Sequence, residues 1–143
     1  MSAPDQDQYP RIYMYRRLVQ AKRYIDLNFS ETLDLDMVAD EACFSKFHFI
    51  RLFSEVFGRT PHQYLTAVRI AHAKTLLATG LPVQDTCFTV GFESVSSFTA
   101  LFKKITGDTP SLFRQQSLKR NLAIREKPLQ FIPHCFAHSN GWT

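Results

Sequence analysis

An all-α fold of about seven helices, forming two helix-turn-helix lobes joined by a long connecting helix, follows from three features of this 143-residue chain. Apolar residues recur at helical spacing. No segment alternates polar and apolar residues as a half-buried strand does. The chain also repeats itself. Phe49, Leu52, Phe53, Gly58, Thr60, Pro61 and Tyr64 return as Phe98, Leu101, Phe102, Gly107, Thr109, Pro110 and Phe113, each 49 residues on. Upstream, the segment ending in Phe44 matches the one ending in Phe92 at an offset of 48, so the second copy has one more residue in its turn. Slippage confined to a turn marks a duplicated helix-turn-helix, because turns accept an insertion and packed helices do not.

Residues 1–10 are polar, contain two prolines and read as a flexible arm. From Ile12 to Phe29, Leu18, Val19, Ile25 and Phe29 alternate with Arg16, Arg17, Lys22 and Arg23, the pattern of an amphipathic helix with a basic face. Ser30 to Thr32 break it, and a short helix follows from about Asp34 to Glu41, with Leu35, Val38 and Ala39 inward. Ser45 is an N-cap residue for the next helix. There Phe49, Leu52, Phe53, Val56 and Phe57 make one buried stripe, and Lys46, Phe47, Ile50, Arg51 and Ser54 are left on the opposite face. Gly58 suits a helix C-cap. Thr60 caps, and Pro61 opens, a connecting helix over 61–79 that stops at Gly80 and carries Leu65, Val68, Leu76 and Leu77.

The second copy runs in the same order. Val83 to Val90 form its first helix, Gly91 its turn and Ser94 the next cap. Phe98, Leu101, Phe102 and Ile105 form the buried stripe, and Val95, Ser96, Thr99, Ala100, Lys103 and Lys104 stay outside. Thr109-Pro110 starts a last helix ending near Ser117. The expected organisation is an arm over 1–10 and a double helix-turn-helix over 11–117, with lobe one at about 11–60 and lobe two at about 81–117. A basic, aromatic tail over 118–143 follows, holding Lys119, Arg120, Arg125, Lys127, Phe131, Ile132, Phe136 and Trp142.

Hydrophobic content of 45% excludes a disordered chain. No apolar run approaches the ~18 residues that span a bilayer, and the N-terminus lacks the basic and apolar parts of a signal peptide. A cytoplasmic protein with no membrane partner is expected. Cys43, Cys87 and Cys135 are odd in number and far apart, which argues against a disulfide framework. Cys43 and Cys87 read as small core residues. His134, Cys135 and His138 lie too close together for zinc spacing. The five glycines are scattered and cradle no phosphate, and no Ser/His/Asp constellation is present. The expectation is therefore no catalytic residue, no metal and no cofactor. A net charge of +4 favours an anionic partner.

Several motifs stand in order: Leu35-x-x-Val38-Ala39; Ser45-Lys46-Phe47-His48-Phe49-x-Arg51-x-Phe53; Gly58-x-Thr60-Pro61-x-x-Tyr64-Leu65; Arg69-x-x-x-Ala73-x-x-Leu76-Leu77; and Val90-Gly91-Phe92-x-Ser94 leading through Phe98, Phe102-Lys103-Lys104 and Gly107 to Thr109-Pro110. On these, roughly residues 16–116 resemble the DNA-binding domain of AraC/XylS-type transcription regulators, in the form of its short stand-alone members. The resemblance implies a non-enzymatic, sequence-specific regulator whose two recognition helices enter adjacent major-groove segments of double-stranded DNA. A connecting helix of roughly 27 Å, at ~1.5 Å per residue, is compatible with groove entries about 34 Å apart.

Residue by residue, the resemblance puts Phe47, Ile50 and Arg51 of the first helix at base-contact positions, and Val95, Ser96, Ser97, Thr99 and Ala100 of the second. Ser45, Lys46, Ser94, Lys103 and Lys104 are expected on phosphates. Arg51 has the planar fork that bonds both acceptors of a guanine edge, and its competing role is an ion pair with Glu55. Many members carry arginine where this chain has Ala100, so the first lobe is expected to carry more of the specificity. Arg69 is expected to pair with Asp40 or Glu41. Further expectations are binding as a monomer, RNA polymerase as a second partner, and no small-molecule effector domain. Two competing classes remain: a repair or alkyl-sensing protein acting through Cys135, and a partner-binding module acting through the tail.

Overall fold

The structure, a computed structural model, describes residues 3–126, and all regular structure among them is helical. The helices are α1 (Ala3–Asn28), α2 (Leu35–Glu41), α3 (Lys46–Phe57), α4 (Pro61–Ala78), α5 (Val83–Thr89), α6 (Val95–Thr106) and α7 (Pro110–Glu126). They fall into two compact units. The first holds α1 to α3, α4 as far as His72, and the segment Thr89–Phe92; the second holds α4 from Ala73, α5 as far as Phe88, and the chain from Glu93 on.

Two boundaries correct the sequence reading. α1 begins at Ala3, so residues 3–10 of the expected arm are helical. Pro4 stands in the first turn, where an N–H has no helical partner anyway. α7 runs to Glu126, well past Ser117. No glycine or proline stops it there, and Asn121, in its continuation, donates to the Ala78 carbonyl at 3.0 Å.

In the first unit, Leu18, Ala21 and Ile25 of α1, Val38 and Ala39 of α2, Phe44 of the turn between α2 and α3, Phe49 and Phe53 of α3, and Leu65 of α4 form one buried cluster. Phe49 and Phe53 meet edge to face with centroids 5.6 Å apart. Each such ring contributes about 1.5–3 kcal/mol by leaving water. The second unit repeats the device. Phe98 and Phe102 are fully buried at 5.7 Å, and Phe113 of α7 packs on Phe102 at 5.5 Å. The stripes are shorter than expected, since Val56 and Ile105 are exposed. Both lie in the last turn of their helix, beside the left-handed glycine cap.

The helix starts follow the capping chemistry. Ser45 Oγ accepts the His48 N–H and Ser94 Oγ the Ser97 N–H, each at 3.3 Å. Thr60 and Gln63 form a reciprocal capping box, at 3.1 Å from the Gln63 N–H to Thr60 Oγ1 and 3.0 Å from the Thr60 N–H to Gln63 Oε1.

Helix ends are tied by arginines. Arg69, expected to pair with an acid, also ties backbone: Nε donates to the Phe29 carbonyl at 2.7 Å and Nη2 to that of Glu31 at 2.9 Å. Carbonyls at the end of α1 have no helical donor left, which makes them strong acceptors for a guanidinium. In the second unit Arg114 does the same for α4, donating from Nε and Nη2 to the Gly80 carbonyl at 3.0 and 2.8 Å. Tyr64 donates its hydroxyl to Asp26. Burial, then the Asp26 carboxylate, hold its pKa above the ordinary value of 10.0. That stabilisation is complete below the unfolded pKa of about 10 and is lost as the pH rises beyond it.

Gly91 sits where α1 ends. With φ at 102°, a Cβ there would lie 2.8 Å from the Phe29 carbonyl oxygen and 3.0 Å from Arg69 Nε. Gly107 has a similar φ of 91° but open space around it. Gly91→Ala is expected to destabilise the chain by about 2–4 kcal/mol and Gly107→Ala by about 1 kcal/mol, read as the difference between their urea midpoints. Thr60→Ala, which removes one half of the capping box, is expected to lower stability by about 1 kcal/mol in the same assay.

Candidate nucleic-acid interface

The rotation of α3 is set by Phe49 and Phe53, which are buried against α1 and α2. The opposite face is left to solvent, and it brings Phe47, Ile50 and Arg51 together one turn apart. Phe47 is 82% exposed, Arg51 is exposed and Ile50 is half-buried. The competing role for Arg51 is not adopted: among the described residues no ion pair joins it to Glu55. Lys46 is held by α2, with Nζ 3.5 Å from Asp36 Oδ1. Both groups are more than half exposed, so the pair contributes at most about 1 kcal/mol.

α6 is rotated by the same rule through Phe98 and Phe102. Its outer face is chemically different. Ser96, Ser97 and Ala100 are exposed, and Val95 and Thr99 are half-buried. No long donor stands among them. Cations appear only in the last turn, where Lys103 and Lys104 are exposed. Ser45 and Ser94, expected on phosphates, each accept a backbone N–H as helix caps; each hydroxyl keeps its proton to donate.

The turns between the paired helices also differ. Cys43, expected in the core, is exposed with φ at 62°. It occupies the position of Gly91 in the repeat, 48 residues earlier. Both adopt the left-handed conformation the turn demands, but in the first copy the side chain is exposed, with its thiol donating to the Glu41 carbonyl at 4.0 Å. Cys87 is fully buried, as expected, and burial pushes its thiol pKa up. The His134, Cys135 and His138 group and the aromatic part of the tail lie outside the described residues.

Asp36 and Arg114 were not legible as partners. The signal for Asp36 lies only in the packing of the first turn of α2 beside that of α3. For Arg114 it is a single arginine placed shortly after Thr109-Pro110.

With this geometry in place, comparison with known proteins decides the family. The model of a helix-turn-helix domain of AraC type matches residues 38–116, more than half of the chain. The chain belongs to the AraC-type helix-turn-helix family. Among its relatives, it is 41% identical over 95 residues to the bifunctional transcriptional activator/DNA repair enzyme AdaA of Bacillus subtilis, covering 66% of this chain and 45% of that protein. It is 35% identical over 103 residues to the transcriptional regulator Rob of Salmonella typhimurium, covering 71% of this chain and 36% of that protein. The chain thus spans less than half the length of either relative.

Among solved structures, the DNA-binding domain of the global transcriptional factor AdpA in complex with a target DNA superposes with a TM-score of 0.69 at 26% identity, over 72% of this chain and 94% of that one. The C-terminal domain of AraT, a response regulator from Geobacillus stearothermophilus, gives a TM-score of 0.66 at 28% identity, over 70% and 84%. Among the described residues no helix is long and apolar enough to cross a membrane, and no cluster of His, Cys, Asp and Glu fits a metal ion.

The two described thiols are expected to react differently. Iodoacetamide on the native protein, followed by peptide mass mapping, should label Cys43 rapidly and Cys87 only after denaturant is added. Equal labelling of both in the native state would contradict the packing around Cys87.

Proposed function

We propose that this DNA-binding transcription regulator reads an asymmetric duplex site through α3 and α6, which enter adjacent major-groove segments, and that α3 supplies most of the sequence preference. The reading rests above all on the contrast between the two outer faces: an exposed Phe47–Ile50–Arg51 surface with Arg51 unpaired, against short hydroxyls and Ala100 on α6. Arg51 bonds the O6 and N7 acceptors of a guanine, and Phe47 and Ile50 pack on thymine methyl groups. Val95 and Thr99 offer methyl contacts on α6, and Ser96, Ser97 and Ala100 complete a surface that discriminates weakly. Lys46, Lys103, Lys104 and the hydroxyls of Ser45 and Ser94 hold phosphates, which positions the protein without reading sequence. The chain acts in the cytoplasm, as a monomer on DNA, and without catalysis.

Selection of sites from a random duplex library at two salt concentrations tests this reading. Two boxes about one helical turn apart are expected, the sharper one belonging to α3. Arg51→Ala should weaken binding to the selected site by about 1–3 kcal/mol and relax preference at one guanine. Lys103→Ala should weaken all sequences alike and lower the salt slope by about 1. If Arg51→Ala is harmless while Thr99→Ala abolishes preference, the assignment of the two lobes is reversed. Binding with no enriched sequence would reduce the function to backbone association.

A further inference from the structure

The basic face of α1 has no part in the contacts proposed for α3 and α6, and within it Arg17 is set apart. Its side chain is half-buried. The guanidinium lies over the Tyr13 ring one turn earlier, with Cζ 4.2 Å from the centroid, and beside the Phe44 ring at 5.8 Å. Such contacts orient the cation through its faces and leave its N–H donors open. Among the described residues Arg17 makes no hydrogen bond and no ion pair.

Arg114 and Arg69 direct donors to the carbonyls of open helix ends. That outlet is closed to Arg17. It shares a hollow with Val38, Glu41 and Ala42 at the end of α2. There the Val38, Ala39 and Asp40 carbonyls already accept the N–H groups of Ala42, Phe44 and Cys43 at 3.1, 2.9 and 2.9 Å. Glu41 is exposed and joins no ion pair among the described residues.

Phe44 connects this guanidinium to the start of α3. It directly precedes the Ser45 cap, and His48 of the first turn meets its ring edge-on at 5.6 Å. Arg17 therefore lies where α2 ends and α3 begins. In a helix-turn-helix, the N-terminal residues of the second helix reach base edges while the helix before it crosses the sugar-phosphate backbone. An oriented guanidinium with open donors at that junction fits a phosphate.

We propose that Arg17 is a third DNA contact, carried by a helix outside both helix-turn-helix pairs, and that it holds a backbone phosphate flanking the segment read by α3. Tyr13 is its positioning residue. The proposal rests on the reading of α3 as the helix that enters the groove. The contact carries no sequence information; it fixes the register of the first lobe and extends its footprint beyond the bases α3 touches.

The test titrates the full chain onto the selected duplex, with a neutral methylphosphonate replacing one phosphate at a time across the α3 box and its flanks. One flanking position is expected where the replacement costs the wild type roughly tenfold, the scale of a charge-assisted contact, and costs Arg17→Gln nothing further. On the unmodified duplex Arg17→Gln should weaken all sequences alike and lower the salt slope by about 1. Arg17→Lys should restore most of that slope. Tyr13→Leu keeps the charge and should lose part of the coupling. Arg23→Gln removes the same charge from the exposed surface of α1 and should keep the wild-type response to every methylphosphonate.

Weaker binding by Arg17→Gln with a lower urea midpoint, an unchanged salt slope and an unaltered methylphosphonate pattern would make Arg17 a packing residue and overturn the proposal. So would coupling to a phosphate within the α6 box. Sequence-specific binding in which no phosphate couples to Arg17 would overturn the contact and leave the reading of α3 intact. A wild-type chain that binds no duplex would remove that reading, and the contact with it.

Discussion

The rotation of two short helices governs what this chain presents to its surroundings. α3 has one way to bury both Phe49 and Phe53, two rings a single turn apart with no exposure to water. Once they are seated against Leu18, Ile25 and Val38, the direction of every other α3 side chain is fixed by the helical period. Truncating either ring would leave a cavity worth about 3–5 kcal/mol. It would also free the helix to turn, and a turn of one residue would carry Arg51 about 100° away from its present bearing. Phe98 and Phe102 impose the same condition on α6. The fold therefore works as an orienting device for outer-face side chains that contribute little to holding it together.

Polar anchoring complements this. α1 and α4 each end in carbonyls that the helix cannot satisfy, and an arginine from a later helix meets them in both units. A guanidinium suits this task because it presents several donors in a fixed plane, so one side chain ties two carbonyls. In the first unit the arrangement leaves no room beside it, which explains why a residue without a side chain stands at Gly91 while its counterpart in the repeat is Cys43.

Much of this was legible in the residues. The repeat located both pairs of helices, the serine and threonine caps marked where α3, α4, α6 and α7 begin, and the spacing of the phenylalanines separated inner from outer faces. What failed has physical reasons. The helical extensions at either end escaped notice because residues 1–10 and 118–126 carry no apolar period, and prolines near a helix start interrupt it less than composition suggests. Val56 and Ile105 continue the stripe in sequence but lie in a last turn that nothing covers. The backbone partners of Arg69 are not readable in advance, because unsatisfied carbonyls are invisible in a sequence. Residue type alone points Cys43 to the core, whereas the backbone of the turn decides where it lies.

The contact between Lys46 and Asp36 has a further consequence. A lysine alone on a surface attracts a diffuse share of dissolved ions, and those ions are what a polyanion displaces on arrival. Lys46 has a carboxylate of the protein within reach instead. Transferring it from Asp36 to a phosphate exchanges one carboxylate partner for another anion and releases less salt to the bulk than a bare ammonium would. Under the proposed reading of the DNA contacts, the two lobes would then be unequal in a second respect. Lys103 and Lys104, in the last turn of α6, would respond to ionic strength as open cations, whereas the grip of the first lobe would be partly insulated from it by an acid on the neighbouring helix.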